Sequence, residues 1–418
     1  MAETTQSFSM TPYFLSAAVG DPHRVGVFLQ AQARAFHETG GDRPASRLDI
    51  RSVRAEGPEM VLSRVDPGYC WVLHAASLLG MPLSVAGVAE FQQVVDLVCL
   101  WLAAWLALRV WGPVAGGLAS VLYGANSSIP AITHLVTYYF WSVPMALVLA
   151  HVGLLCLRRS RVTSLWWAAL VLLAAWAVWV RILWLPVFVV FLTGVGLVAL
   201  PRKRALAVAS SLFALVLSYA LLLHRVANEG LGDMWHPRSQ LWHTLYIGLG
   251  AYGDWDDIRW LDEYAYAVAG AAGISSREWK RYDEFFRGKF VGEVSSHPAR
   301  YIAAIARRIG DYVDFGRVSV AGARIPARSS WLGWTFLVIA AICLARDRFL
   351  HFDEQLIGAL YGLQIGAWAI LVPPVMPYPV ETLGLAYPLV AGVIVVSLRV
   401  TTGWFRRTDP GSARAVRG

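Results

Sequence analysis

The chain has 418 residues, 57% of them hydrophobic and only 15% charged, with a mean hydropathy of +0.50 and a formal net charge of +8. Soluble domains carry about 25% charged residues, so a large soluble core is excluded and a polytopic membrane protein is expected. The positive charge sits in short arginine-rich stretches without strand-like alternation or an RNA-binding signature. It points to anionic lipid head groups as partners and excludes nucleic acid.

In chain order, residues 1–83 read as a first hydrophilic region with amphipathic helices. Its opening, "MAETTQSFSMTPYFLSAAVGDPHR", has no basic n-region and no apolar piece long enough to cross a bilayer. Residues 84–224 then hold about six apolar runs, near 84–110, 112–125, 133–157, 165–180, 182–200 and 204–224. A second hydrophilic region covers 225–328, and about three more runs follow near 329–345, 353–372 and 379–399. Residues 400–418 form a basic tail. The expected fold is therefore an all-α polytopic integral membrane protein with two large loop regions.

Within this order the run from Leu165 to Leu200 carries a single charge, Arg181, almost at its centre. As one helix it would be roughly 54 Å long, against about 30 Å of hydrocarbon. Two short helices meeting at Arg181 solve the length. The basic stretches agree: "RRSR" (Arg158–Arg161), "PRKR" (Pro201–Arg204), "RDR" (Arg346–Arg348) and the tail all face the cytoplasm only if 165–200 goes out and back. Arg181 and both hydrophilic regions then lie outside. An external N-terminal region with no span before it implies a first helix upstream of Met1, or else a translocated tail.

Several residues invite a chemical role. Arg181 reads either as an interfacial arginine snorkelling to water or as a planar fork for a phosphate. Gln92, Gln93 and Asp96 lie inside an apolar run. The two glutamines fit interhelical hydrogen bonding, and the carboxyl should face protein or a water-filled cavity. His243, Tyr246, Asp254, Asp256 and Asp257 alternate with Trp242, Trp255 and Trp260. Carboxylates among aromatics suit sugar binding. The aspartates could also hold Mg²⁺ or Mn²⁺, although their spacing matches no defined metal motif, and a solvated acidic turn is the plainer reading. The four cysteines are scattered and fit neither a disulfide framework nor a zinc site. In "HPARYIAAIARRIGDYV", Tyr301, Ile302, Ile305, Ile309, Tyr312 and Val313 share one helical face, and Arg300, Arg307 and Arg308 fall largely elsewhere. That pattern predicts an interfacial helix.

The succession of "GDPHRVGVFLQAQARAFHETGG" (Gly20–Gly41), "VDPGYCWVLHAASLLGM" (Val65–Met81), "LRVWGPVAGGLASVLYGAN" (Leu108–Asn126), "WAVWVRILWLP" and "WHTLYIGLGAYGDWDD" (Trp242–Asp257) resembles the GT-C superfamily of membrane glycosyltransferases. The type is that of protein mannosyltransferases using dolichyl-phosphate-mannose and of aminoarabinose transferases. The order of elements carries the likeness more than any single motif, and the absent first span departs from it. The resemblance implies a GT-C-like helix bundle at a plasma membrane, bacterial inner membrane by analogy, with large extracytoplasmic loops. It further implies inverting transfer of a sugar from a polyprenyl-phosphate donor to a glycan, lipid or protein acceptor. By the same likeness Asp21 becomes the general base. Asp66 is its rival, ahead of Asp49, Glu56 and Glu59, and Arg24, Arg181, His243, Tyr246, Asp256 and Asp257 would bind substrate or phosphate. Without the likeness Asp21 is an N-cap before Pro22, and Asp66 a turn residue before Pro67-Gly68. A transporter or flippase, or a non-catalytic scaffold, are the rival expectations.

Overall fold

The structure, a computed structural model, describes most of residues 85–199, 239–315 and 352–408. Residues 1–71, 325–351 and 409–418, with most of 200–238, lie outside the described residues. The described part is helical. Its one extended pairing is a two-residue antiparallel ladder, β1 (Ser319–Val320) with β2 (Ala323–Arg324).

Helix α1 (Val85–Trp111) ends at Gly112, whose φ of 95° is open to glycine and strained for other residues. Pro113 at the first position then starts α2 (Pro113–Gly124), where its missing N–H leaves nothing unsatisfied. The two pack antiparallel and closely, because a Cβ on Gly116 would come within 2.9 Å of the Leu108 Cβ.

A 3-10 turn (Tyr138–Trp141) leads into α3 (Ser142–Leu157). Next come α4 (Thr163–Val180) and α5 (Trp184–Ala199), broken at Arg181. A Cβ on Gly196, late in α5, would lie 3.0 Å from the ring of Trp167, early in α4. The chain therefore doubles back at Arg181, as the length argument requires.

Outside this bundle, α6 (Ser239–Gly248), α7 (Asp262–Ala271), α8 (Trp279–Ser296) and α9 (Pro298–Phe315) build a second, smaller core. The chain returns to the bundle with α10 (Phe352–Leu371), a 3-10 turn (Tyr378–Thr382) and α11 (Leu383–Thr408).

Among the described residues, three helices are long and apolar enough to cross a membrane: Gly87–Trp111, Tyr139–Leu157 and Val380–Arg399. Shorter apolar helices run Pro113–Gly124, Ser164–Val180 and Trp184–Val198. Among the described residues, these three full-length helices correspond to the expected runs near 84–110, 133–157 and 379–399. Helix α2, with 12 residues, extends only about 18 Å and falls short of a bilayer core. The expected run at 329–345 and about half of that at 204–224 lie outside the described residues.

The bundle has two chemically different ends. At one, Arg399 donates to the Trp111 carbonyl at 2.6 Å, near Arg109, and the chain continues from α3 and α5 into the two basic stretches. At the other, the starts of α3, α5 and α11 meet the end of α4. Only a residue without a side chain fits the crossing there, since a Cβ on Gly384 would come 2.7 Å from the Val143 carbonyl oxygen. The smaller helical core docks beside this second end, through α9 against α10.

Candidate functional site at the capped end of the bundle

Arg181 follows the last turn of α4, with its N–H still bonded to the Ala177 carbonyl at 2.8 Å, and its own carbonyl accepts from Trp184 N–H at 3.0 Å. This short linker directs the side chain across the bundle. Its Nε donates to Glu381 Oε2 at 3.2 Å and its Nη2 to Oε1 at 3.1 Å. Both residues are buried, Arg181 at 7% exposure and Glu381 at 0%. The ring of Tyr139 lies 4.9 Å from the guanidinium carbon, a cation–π contact.

Glu381 is held from two further directions. Ser142 Oγ donates to Oε2 at 2.9 Å and itself accepts from Trp184 Nε1 at 3.3 Å. Gln364 Nε2 donates to the Glu381 backbone carbonyl at 2.7 Å. Trp184 packs edge-on against Trp368, with ring centroids 5.2 Å apart. Five segments thus converge on one ion pair: the turn before α3, the α4–α5 linker, α5, α10 and the turn before α11. A buried pair of this kind adds little net stability over a well-packed apolar alternative, but removing either partner is expensive. Its value lies in fixing where these segments end.

A second polar line runs down α1. Gln92 Nε2 donates to the Thr133 carbonyl at 2.9 Å, and its Oε1 accepts from Trp141 Nε1 at 3.3 Å. Gln92 therefore holds helices together, as expected of it, whereas Gln93 points outward. One turn further, Asp96 Oδ1 accepts from the Tyr123 hydroxyl at 2.6 Å.

The structure treats the other expected site residues unevenly. Asp21, Arg24, Asp66 and Asp256 lie outside the described residues, as do Asp254, Asp49, Glu56 and Glu59. His243 and Tyr246 are buried in the smaller core. His243 Nδ1 pairs with the Tyr282 hydroxyl at 2.7 Å, and its ring is surrounded by Tyr266, Tyr282 and Phe286. Tyr246 packs on Phe286 and Tyr264, and burial pushes its hydroxyl well above the ordinary phenol range. Both side chains face protein neighbours inside this core. Asp257 is exposed, and its backbone carbonyl accepts from the Tyr264 hydroxyl. Among the described residues no group of three His, Cys, Asp or Glu could hold a metal ion. Arg181 is not brought together with His243 or Tyr246, which belong to a separate core.

Helix α9 corrects part of the expected pattern. Ile302, placed on the apolar face, is 66% exposed, whereas Arg308, placed off it, is 2% exposed. Arg308 Nη1 donates to the Ala369 carbonyl at 3.1 Å and Nη2 to the Gly248 carbonyl at 2.7 Å. The Ala369 carbonyl lies in the last turn of α10, where Pro373 supplies no N–H, and the Gly248 carbonyl closes α6 before a 3-10 turn (Leu249–Tyr252); both sit at the negative ends of their helix dipoles. Tyr312 adds a hydrogen bond to the Val372 carbonyl at 3.2 Å. The buried face of α9 is therefore spent on joining the cap to α10. Tyr301 is partly buried against the same element, and burial raises its hydroxyl as well.

Sequence reasoning missed Glu381. The signal was present in "PPVMPYPVETLGLAYP", where a lone carboxyl leads an apolar run, a position that usually names a buried partner. No protein-family model matches this chain, and no curated protein and no solved structure matches it either.

Proposed function

We infer that the protein is a membrane glycosyltransferase of GT-C-like type, moving a sugar from a polyprenyl-phosphate donor to an acceptor at the outer face. The observation that carries the reading is the helical cap docked by Arg308 beside the bundle end that is remote from the basic stretches. By the positive-inside rule that end faces outward, where a lipid-linked donor would present its phosphate and sugar. In this reading Asp21, or failing it Asp66, takes the acceptor proton, and Arg24 assists at the phosphate. Asp256 and Asp257 are retained as acidic contacts for sugar hydroxyls or for a Mg²⁺ or Mn²⁺ ion. Arg181 contacts phosphate only by sharing or exchanging its bond with Glu381; otherwise it positions the helix ends around the donor. His243 and Tyr246 act as the framework of the cap.

The test is sugar transfer from a lipid-linked donor by purified protein, with Asp21→Asn and Asp66→Asn compared. A positioned base contributes about 10²–10⁴-fold, whereas Asn is as good a helix N-cap as Asp. Loss of transfer in Asp21→Asn with unchanged thermal unfolding supports the base. Parent-like transfer removes Asp21 from the role. A transporter or flippase is the second reading, favoured by one observation, the Asp96 carboxyl well inside a helix long enough to span.

A further inference from the structure

Asp96 stands nine residues beyond Gly87 in the apolar helix Gly87–Trp111, about 14 Å along its axis and so near the middle of a bilayer. Its neighbours on α1 are Val94, Val95, Leu97 and Val98, of which Val94, Leu97 and Val98 are exposed. Its one hydrogen bond among the described residues comes from Tyr123, and no cation pairs with it there. The groups facing it are all uncharged or weakly acidic. They are Cys99 on its own helix, Tyr123 on α2 and Tyr387 on α11, which meets the Tyr123 ring edge-on at 5.5 Å. On α3 the titratable groups are Cys156, near that helix's end, and His151, bonded a turn and a half further along to the Leu102 carbonyl at 3.1 Å. Arg109 and Arg399 lie at the far end of the helix. Tyr387 is buried, 1% exposed, with Asn126 beside its hydroxyl.

We propose that Asp96 and Tyr123 form an intramembrane proton-binding site. A carboxylate with no cation partner is poorly tolerated in hydrocarbon, and a proton is the smallest ligand that removes its charge. Tyr123 occupies Oδ1, which leaves Oδ2 to carry the proton. Gln92, one turn away on the same helix, accepts from Trp141 Nε1, and the next residue in the chain, Ser142, donates to Glu381. The site therefore lies about one turn inward of the polar groups at the capped end of the bundle. It is a site for proton-linked conformational change, and it does not depend on the glycosyltransferase reading.

Carbodiimide chemistry tests this directly. A protonated carboxyl adds across a carbodiimide C=N bond: the oxygen bonds to the central carbon and the proton moves to nitrogen. The acyl group then shifts from oxygen to nitrogen, leaving a stable N-acylurea with nothing expelled. Full-length protein in native membranes is treated with dicyclohexylcarbodiimide, or with a water-soluble carbodiimide, over a pH series and mapped by peptide mass spectrometry. The expected result is labelling of Asp96 by the lipid-soluble reagent only, declining toward alkaline pH. Tyr123→Phe removes a donor that favours the ionised form, so the decline should move to higher pH. If that variant does not fold, the parent profile alone decides. Asp96 left unmodified at every pH while Glu90 reacts, labelling independent of pH, or equal labelling by the water-soluble reagent would each overturn the proposal.

Discussion

Arg181 and Glu381 are 200 residues apart in the chain and meet side-on, each oxygen of the carboxylate taking one guanidinium N–H. The contact is possible because α4 stops at Val180 and because the turn Tyr378–Thr382 delays the start of α11. If the pair chiefly fixes these ends, its two halves must fail together. Arg181→Met should destabilise by about 3–5 kcal/mol, since it strands a fully buried carboxyl. Arg181→Met with Glu381→Leu should recover most of that loss. Thermal unfolding in detergent reads both. Equal losses in the single and double variants would mean that the guanidinium matters through something other than Glu381.

Arg308 predicts a different failure, one confined to the cap. Arg308→Met leaves the Ala369 and Gly248 carbonyls without their donor. Hydrogen bonds from a charged donor contribute about 1.5–3 kcal/mol each, so the cap should loosen from α10. Hydrogen exchange should then rise across 239–315 while α3 and α11 stay protected. Uniform protection in the variant would show that the cap is held by other contacts.

These two residues show what the sequence could and could not disclose. The break at Arg181 was legible, because 36 apolar residues exceed one bilayer crossing and a single charge marked the turn. Glu381 was not assigned, although it stood alone before an apolar run, because nothing local names a partner 200 residues away. Arg308 was misplaced for a related reason. Helical periodicity sorts side chains by polarity, yet a guanidinium can be buried when orphan carbonyls of other helices surround it. His243 and Tyr246 were read as sugar contacts from a mix of aromatic and polar residues, a composition that binding clefts share with small buried cores. Only packing separates the two. Asp21, Arg24, Asp66 and Asp256 rest on their sequence pattern alone.

The packing role of His243 can be separated from a ligand role. His243→Phe keeps an aromatic ring among Tyr266, Tyr282 and Phe286 but loses the bond to Tyr282. Its expected penalty is about 1 kcal/mol, and that of His243→Ala about 3 kcal/mol because a buried ring is lost. A ligand-binding histidine would show the reverse pattern: little change in unfolding for either variant, with loss of substrate binding in both. Measuring unfolding and donor binding on the same preparations decides.

The last prediction concerns sidedness, on which the proposed chemistry depends. By the positive-inside rule the four basic stretches are expected on the cytoplasmic side, and the cap docks beside the opposite end of the bundle. Glu284, on an exposed face of α8, should therefore be outside, and Ser160, in "RRSR", inside. Single cysteines at these positions, in a background with Cys70, Cys99, Cys156 and Cys343 replaced by serine or alanine, can be probed in intact cells with an impermeant maleimide. Cys99 and Cys156 are buried, so alanine is the better choice there. Glu284→Cys should react before permeabilisation and Ser160→Cys only after it. The reverse order would put the cap in the cytoplasm. A polyprenyl-linked donor at the outer face would then be on the wrong side of the membrane, whereas the Arg181–Glu381 pair and the Asp96 site would stand unchanged.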